Sequence, residues 1–143
     1  MIQTKTFEEF KGEHINYLDW RFFNNEEEVI ECKDFYSLSD EYQIIATDIC
    51  GNIVTIKDKS IVIVDHEQPE QENDYYLTDE LDILLILIKR LMTVEDYIET
   101  DDIKALKKIK KDLKECKKLA PKKMKDDFEE FIDDVKLEIE LLE

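Results

Sequence analysis

The residues with the most obvious chemical potential are Asp65, His66 and Glu67, which follow an apolar, β-branched run. Neighbours on a strand point to opposite faces, so only the two carboxylates could share a metal ion. Catalysis would need His66 beside a nucleophile such as Cys50 and an orienting carboxylate, which the spacing does not ensure. We therefore predict a structural hydrogen bond for His66, and a protein that is not an enzyme and uses no metal or cofactor.

The three cysteines, Cys32, Cys50 and Cys116, lie far apart and show no C-x-x-C spacing. An odd number of scattered cysteines is typical of free thiols in a reducing compartment. The N-terminus has no basic start followed by an apolar run, and the longest apolar block, residues 83–88, is too short to span a bilayer. We expect a soluble, cytoplasmic protein without disulfides or cysteine-bound zinc.

The formal net charge of −17 is distributed unevenly along the chain. Residues 1–100 hold 8 basic and 24 acidic residues, a net of −16, whereas residues 104–125 hold 11 basic and 2 acidic residues, a net of +9. Residues 126–143 return to −8, with 1 basic and 9 acidic residues. An acidic body repels nucleic acid and anionic membranes, so we predict neither as a partner. A cationic protein is favoured instead, although acidic surfaces also serve solubility alone.

The elements that position these residues centre on residues 43–67, which read as three β-strands joined by tight turns at residues 51–52 and 58–59. Two-residue loops would place Cys50 opposite Ile53, Ile49 opposite Val54, Lys57 opposite Ser60, Ile56 opposite Ile61 and Val54 opposite Ile63. One sheet face, which we expect a helix to cover, would then carry Ile45, Thr47, Ile49, Val54, Ile56, Ile61 and Ile63. The other, mixed face would carry Asp48, Cys50, Ile53, Thr55, Lys57, Val62 and Val64.

Before this sheet, Thr6 and Glu9 form a capping-box pattern that predicts a short helix. Residues 17–36 are rich in aromatic side chains and are interpreted as a strand pair, with a turn at residues 24–28 and a second strand at residues 29–32. After the sheet, Thr78 and the acids that follow it predict a helix over residues 78–97 that packs on the sheet.

The last third of the chain is predicted to be a helical hairpin. Apolar residues recur at three- and four-residue steps from Ile103 to Ala120 and again from Met124 to Leu142, and Pro121 marks the break. One helix is rich in lysine and the other is acidic, so their flanks can pair. The lysine run alone could indicate a nucleic-acid site, but the adjacent acidic block opposes its field, so self-pairing is favoured. The hairpin could also supply a homodimer seam.

The segment from residue 44 to residue 67, with a polar turn at residues 48–52 and an apolar strand that ends in Asp65-His66-Glu67, resembles the core signature of the SUKH superfamily. The superfamily includes Smi/Knr-type regulators of glucan synthesis and bacterial immunity proteins, and its amphipathic helix corresponds to residues 78–97. The resemblance implies an α+β fold, with an antiparallel sheet of about 4 to 6 strands packed by helices. It implies a single domain over residues 1–143, with the sheet and covering helix in 1–99 and the hairpin in 100–143.

The same resemblance implies a protein that acts by binding another protein. The favoured function is an immunity-type protein that neutralises a toxin domain through an acidic surface, and the alternative is a regulatory or scaffold protein resembling the glucan synthesis regulators. Charge and loop position select the candidate contact residues Asp40, Glu41, Asp48, Asp65, Glu67, Glu70 and Glu72.

Overall fold

The computed structural model describes residues 7–67 and 74–143 and shows an α+β fold. The chain divides into two compact units, with the boundary between Leu81 and Asp82. The first, called the sheet unit, contains every strand among the described residues, and the second, called the helical unit, contains the C-terminal helices. No helix in residues 7–67 and 74–143 combines the length and apolar character needed to cross a membrane.

Six antiparallel strands form one sheet, and their spatial order follows their order in the chain. This confirms the predicted antiparallel sheet at the upper end of the expected number of strands. The strands are β1 (His14–Ile15), β2 (Trp20–Phe22), β3 (Gln43–Thr47), β4 (Ile53–Lys57), β5 (Ser60–Val64) and β6 (Tyr75–Thr78).

The hairpin between β4 and β5 has the predicted register. Lys57 pairs with Ser60, and the pairs Ile56–Ile61 and Val54–Ile63 follow in sequence. Its turn residues Asp58 and Lys59 both have positive φ, 50° and 65°, which matches the right-handed twist of the strands. A two-residue turn therefore fixes which side chains of β4 and β5 share a face.

The pairings predicted between β3 and β4 for Ile49 and Cys50 are wrong. Both residues lie in a loop over residues 48–52, and the ladder begins with Thr47 opposite Ile53. The loop forms because the Asp48 carboxylate accepts hydrogen bonds from the backbone N–H groups of Cys50 and Asn52, each at 2.9 Å. Such local hydrogen bonds compete with strand pairing.

The face predicted for Thr47 is also wrong, because Thr47 pairs with Ile53 and therefore does not share the face of Val54. The register then shifts between Ile44 and Ala46. Ala46 pairs with Val54, whereas Ile44 pairs with Thr55. A shift of one residue exchanges the two faces. The buried Ile44, Ile53 and Val64 consequently belong to one core cluster, together with Leu38 and Tyr42.

Residues 29–32, predicted as a strand, lie in helix α1 (Glu26–Tyr36). The Asn25 side chain accepts a hydrogen bond from the Glu28 N–H at 3.0 Å and caps the helix. Three glutamates in the first turn complement the helix dipole. Val29, Cys32 and Tyr36 pack against the core cluster of the sheet, so α1 covers the face of β3–β5 that was predicted to be mixed.

The predicted N-terminal helix is a single 3-10 turn, Glu8–Phe10, and Thr6 lies outside the described residues. Phe10 packs its ring at 5.4 Å from that of Phe22 on β2, and Trp20 lies at 6.4 Å from Phe22. Phe10, Trp20 and Phe22 are thus part of the core, whereas the ring of Phe35 is 79% exposed.

The helical unit contains the predicted hairpin. Helix α2 (Leu81–Leu91) is shorter at both ends than the predicted helix over residues 78–97, because Thr78 is the last residue of β6 and the chain leaves the helix after Leu91. A 3-10 turn follows at Tyr97–Glu99. Helices α3 (Ile103–Leu119) and α4 (Lys125–Leu142) enclose a buried seam that includes Leu113 and Phe128, both 0% exposed. One ion pair, Lys117 to Glu129 at 2.6 Å, joins the flanks of α3 and α4.

Candidate protein-binding surface

Of the seven acids predicted to contact a partner, the five that the structure describes do not form one surface. Asp40 and Glu41 lie between α1 and β3, Asp48 lies in the loop before β4, and Asp65 and Glu67 follow β5. Glu70 and Glu72 lie outside the described residues. The described members of this set must therefore be considered one location at a time.

Asp48 and Asp65 serve local structure. Asp48 holds the loop over residues 48–52, and Asp65 accepts a hydrogen bond from the Glu67 N–H at 2.9 Å. The Nδ1 atom of His66 lies 2.9 Å from the Asn52 side-chain oxygen, which also accepts the His66 N–H at 3.3 Å. Because an amide oxygen only accepts, the ring hydrogen lies on Nδ1. The hydrogen bond predicted for His66 is present and ties two loops together.

Asp40 and Glu41 are each close to a lysine. Lys33 on α1 forms an ion pair with Asp40, and its hydrogen bond and charge lower the pKa of the Asp40 carboxyl. Glu41 lies 3.8 Å from the Lys57 ammonium. Both carboxylates stay exposed, so these pairs orient the segment between α1 and β3 without removing its acids from the surface.

Tyr42, which follows Asp40 and Glu41 in the chain, forms a hydrogen-bonded group with Asp74 and Lys57. Tyr42, 5% exposed, donates its hydroxyl proton to Asp74 at 2.5 Å. Lys57 donates to the same hydroxyl at 3.3 Å and lies 4.7 Å from the centre of the ring. Burial and, to a smaller extent, the hydrogen bond to Asp74 raise the pKa of Tyr42. The hydrogen bond between Lys57 and Tyr42 raises the pKa of Lys57. The hydroxyl therefore stays protonated and acts as a structural donor.

The outer side of α1 combines exposed acidic and apolar side chains. Glu27, Glu31 and Asp34 are exposed and recur at helical spacing, so they form one stripe. Phe35 and Ile30 flank this stripe, with 79% and 51% of their surface exposed. We call these five residues the α1 surface. Glu27 complements the helix dipole, but like charges one turn apart cost a helix about 0.2–0.5 kcal/mol per pair, so Glu31 and Asp34 do not serve the stability of α1.

A cleft of about 390 Å³ lies beside the α1 surface, within the sheet unit. Its walls include the apolar side chains of Phe22, Val29 and Ile44. Its charged lining consists of the acids Glu8, Glu26 and Asp40 and of two lysines, Lys11 and Lys33, which pair with Glu8 and Asp40. An apolar cleft with acidic groups suits a side chain that has an aliphatic stem and a cationic head, such as arginine or lysine.

The described residues provide little for metal or thiol chemistry. Within residues 7–67 and 74–143, no group of three or more His, Cys, Asp and Glu residues could hold a metal ion. Cys50 is exposed, whereas Cys116 is 1% exposed and burial raises its thiol pKa to about 11. A thiol with so high a pKa is a poor nucleophile at neutral pH.

Sequence reasoning missed the α1 surface because residues 29–32 were assigned to a strand. On a strand, Glu27 and Glu31 would share a face with Val29, whereas on a helix they turn away from it. The sequence does carry the correct signal, since Asn25 before three glutamates is typical of a helix N-terminus.

Comparison of the chain with protein-family models, with curated proteins and with solved structures found no match.

Proposed function

We propose that the protein is a non-enzymatic, SUKH-like protein-binding module of the immunity type, which neutralises a cationic toxin domain through the α1 surface. The observation that carries this proposal is Phe35, whose ring is 79% exposed at the edge of an acidic stripe. Aromatic side chains are enriched at protein interfaces and are frequent anchors there.

The charge of the chain supports a cationic partner. With a formal net charge of −17, the protein attracts a basic surface over a long range and accelerates its association. The stripe of Glu27, Glu31 and Asp34 then provides a local match for basic side chains, while Phe35 and Ile30 provide apolar area. Charge selects and steers the partner, and the apolar pair holds the complex once it has formed.

The cleft extends the same surface. Ile30 belongs both to the α1 surface and to the lining of the cleft, and the acids Glu26 and Asp40 also line it. A partner that places an arginine or lysine stem against Phe22 and Val29 would bring its cationic head toward Glu26, the cleft carboxylate that no lysine of the described residues pairs with. A basic toxin domain carries many such side chains.

The first experiment isolates the partner from the native host with the purified protein and measures the affinity of the reconstituted complex. Phe35→Ala should weaken binding by about 30- to 1000-fold, the range of a buried aromatic anchor of 2–4 kcal/mol. The matched control is Leu141→Ala, since Leu141 on α4 is 71% exposed but lies outside the α1 surface. An equal effect of both variants would refute the assignment to α1.

The second experiment tests the role of charge. Glu27→Lys/Glu31→Lys should lower the association rate at least about tenfold at 50 mM salt, with a smaller effect at 500 mM. Glu130→Lys/Asp133→Lys makes the same change of charge at exposed positions of α4 and should have a much smaller effect. Binding that salt does not weaken would contradict electrostatic recognition, and a partner that stays toxic when bound would contradict the immunity function.

A further inference from the structure

A groove between α3 and α4, within the helical unit, collects lysine side chains from both helices. Lys107, Lys110, Lys111 and Lys114 come from α3, and Lys136 is the single lysine within the acidic half of α4. The groove has a volume of about 530 Å³, which is within the range of small-molecule sites. Two carboxylates, Glu140 and Glu143, also line it. Five lysines against two glutamates leave the groove cationic on an acidic protein.

These lysines were expected to pair with the acids of α4. The structure instead uses Lys117 for the pair with Glu129, and none of the five groove lysines forms an ion pair within residues 7–67 and 74–143. Lys114 and Lys136 act on Glu129 only as further charges that lower its pKa, after the hydrogen bond from Lys117. The groove therefore concentrates lysines that form no ion pair with Glu140, Glu143 or any other carboxylate of the described residues.

We propose that this groove binds a short oligophosphate chain. Lysine is a compact point charge that suits phosphate, whereas bidentate binding of carboxylates favours arginine, and the groove contains no arginine. Lys107 and Lys114 are separated by two helical turns, about 10 Å, which is the length of a few phosphate groups. This site is separate from the α1 surface and does not depend on the proposed function.

The groove favours the phosphate chain over larger polyanions. A nucleic acid would extend beyond the lysines and meet the acidic remainder of the protein, which repels it. The groove has no aromatic side chain on which a base could stack, and Ile139 is the single apolar residue in its lining. Inorganic tripolyphosphate and the phosphate chain of a nucleotide should therefore bind with similar affinity, whatever the base.

The test is calorimetric titration of the full chain with sodium tripolyphosphate and with ATP in 50 mM NaCl. We expect a single site with a Kd below about 1 mM for both ligands, and at least tenfold weaker binding in 300 mM NaCl. Amide chemical-shift changes on the unmodified protein should concentrate in residues 104–118 and 134–143, which locates the site without any variant.

The variants separate the groove from the general charge of α3. Lys110→Gln/Lys114→Gln/Lys136→Gln should lower the affinity for tripolyphosphate at least about 30-fold. Lys104→Gln/Lys108→Gln/Lys118→Gln removes the same charge from exposed positions outside the groove and should lower it less than about threefold. Circular dichroism verifies that both variants keep their helices.

Three results would overturn the assignment. One is the absence of binding at 1 mM tripolyphosphate, and another is an equal loss of affinity in the two triple variants. The third is tighter binding of ATP, of a single-stranded oligonucleotide or of a glutamate-rich peptide than of tripolyphosphate, since each would indicate recognition that this groove does not explain.

Discussion

Asp48 offers a direct test of whether an acid in the sheet unit serves structure or recognition. Its carboxylate accepts two backbone hydrogen bonds at 2.9 Å, from Cys50 and Asn52. Hydrogen bonds to a charged group contribute about 1.5–3 kcal/mol each when buried, but Asp48 is half-exposed, so solvent competes for both. We expect Asp48→Ala to lower the free energy of unfolding by about 1–2 kcal/mol.

Asp48→Asn separates geometry from charge. It removes the same charge as Asp48→Ala but keeps an oxygen that can accept the two N–H groups, so it should cost less than about 0.5 kcal/mol. The assay is urea unfolding at pH 7, followed by circular dichroism, with the exposed Glu130→Ala as the control. Equal stability of the alanine and asparagine variants would refute the structural role. Equal weakening of partner binding by both variants would show that the charge of Asp48 is recognised.

Two further predictions concern helix α1 and the buried thiol. Asn25→Ala should destabilise the protein by about 1 kcal/mol in urea unfolding, because the Glu28 N–H loses its cap; an unchanged midpoint would contradict the capping role. The pKa of the Cys116 thiol is raised from 9.0 to about 11, so its contribution to stability is present below pH 9 and is lost as the pH rises to 11. The difference in stability between the native protein and Cys116→Ala should therefore narrow by about 1–2 kcal/mol over this range, and a difference that does not change with pH would contradict the burial of the thiol.

Much of the fold could be read from local patterns. The helices of the hairpin follow from the recurrence of apolar residues, because a 3.6-residue period places Leu106, Ile109 and Leu113 on one side whatever their surroundings. The turn at Asp58 and Lys59 follows from polar residues between two β-branched runs. Both signals lie within a few residues, so no distant contact is needed to interpret them.

The candidate surface was less accessible to prediction. The seven predicted acids were selected by charge and loop position, but the structure uses Asp48 and Asp65 for local hydrogen bonds. The α1 surface depends on the assignment of residues 26–36, where strand and helix both suited the composition. The Asn25 cap and the acidic first turn favour the helix, and the inner side of α1 packs against the core cluster of the sheet.

The sequence by itself determined the acidic character of the chain, the existence of the sheet and hairpin, and the register of β4 with β5. Tertiary structure alone decided the shift of register at Ile45. The shift buries Ile44 beside Ile53 and Val64, which lie on two other strands, so no local sequence pattern predicts it. Tertiary structure also decided that the acids of the α1 surface stay exposed and that the groove lysines form no ion pair among the described residues. His66 of the Asp65-His66-Glu67 triplet joins two loops through Asn52, and the lysines of α3 line a groove together with residues of α4. Both arrangements depend on contacts between residues that are distant in the chain.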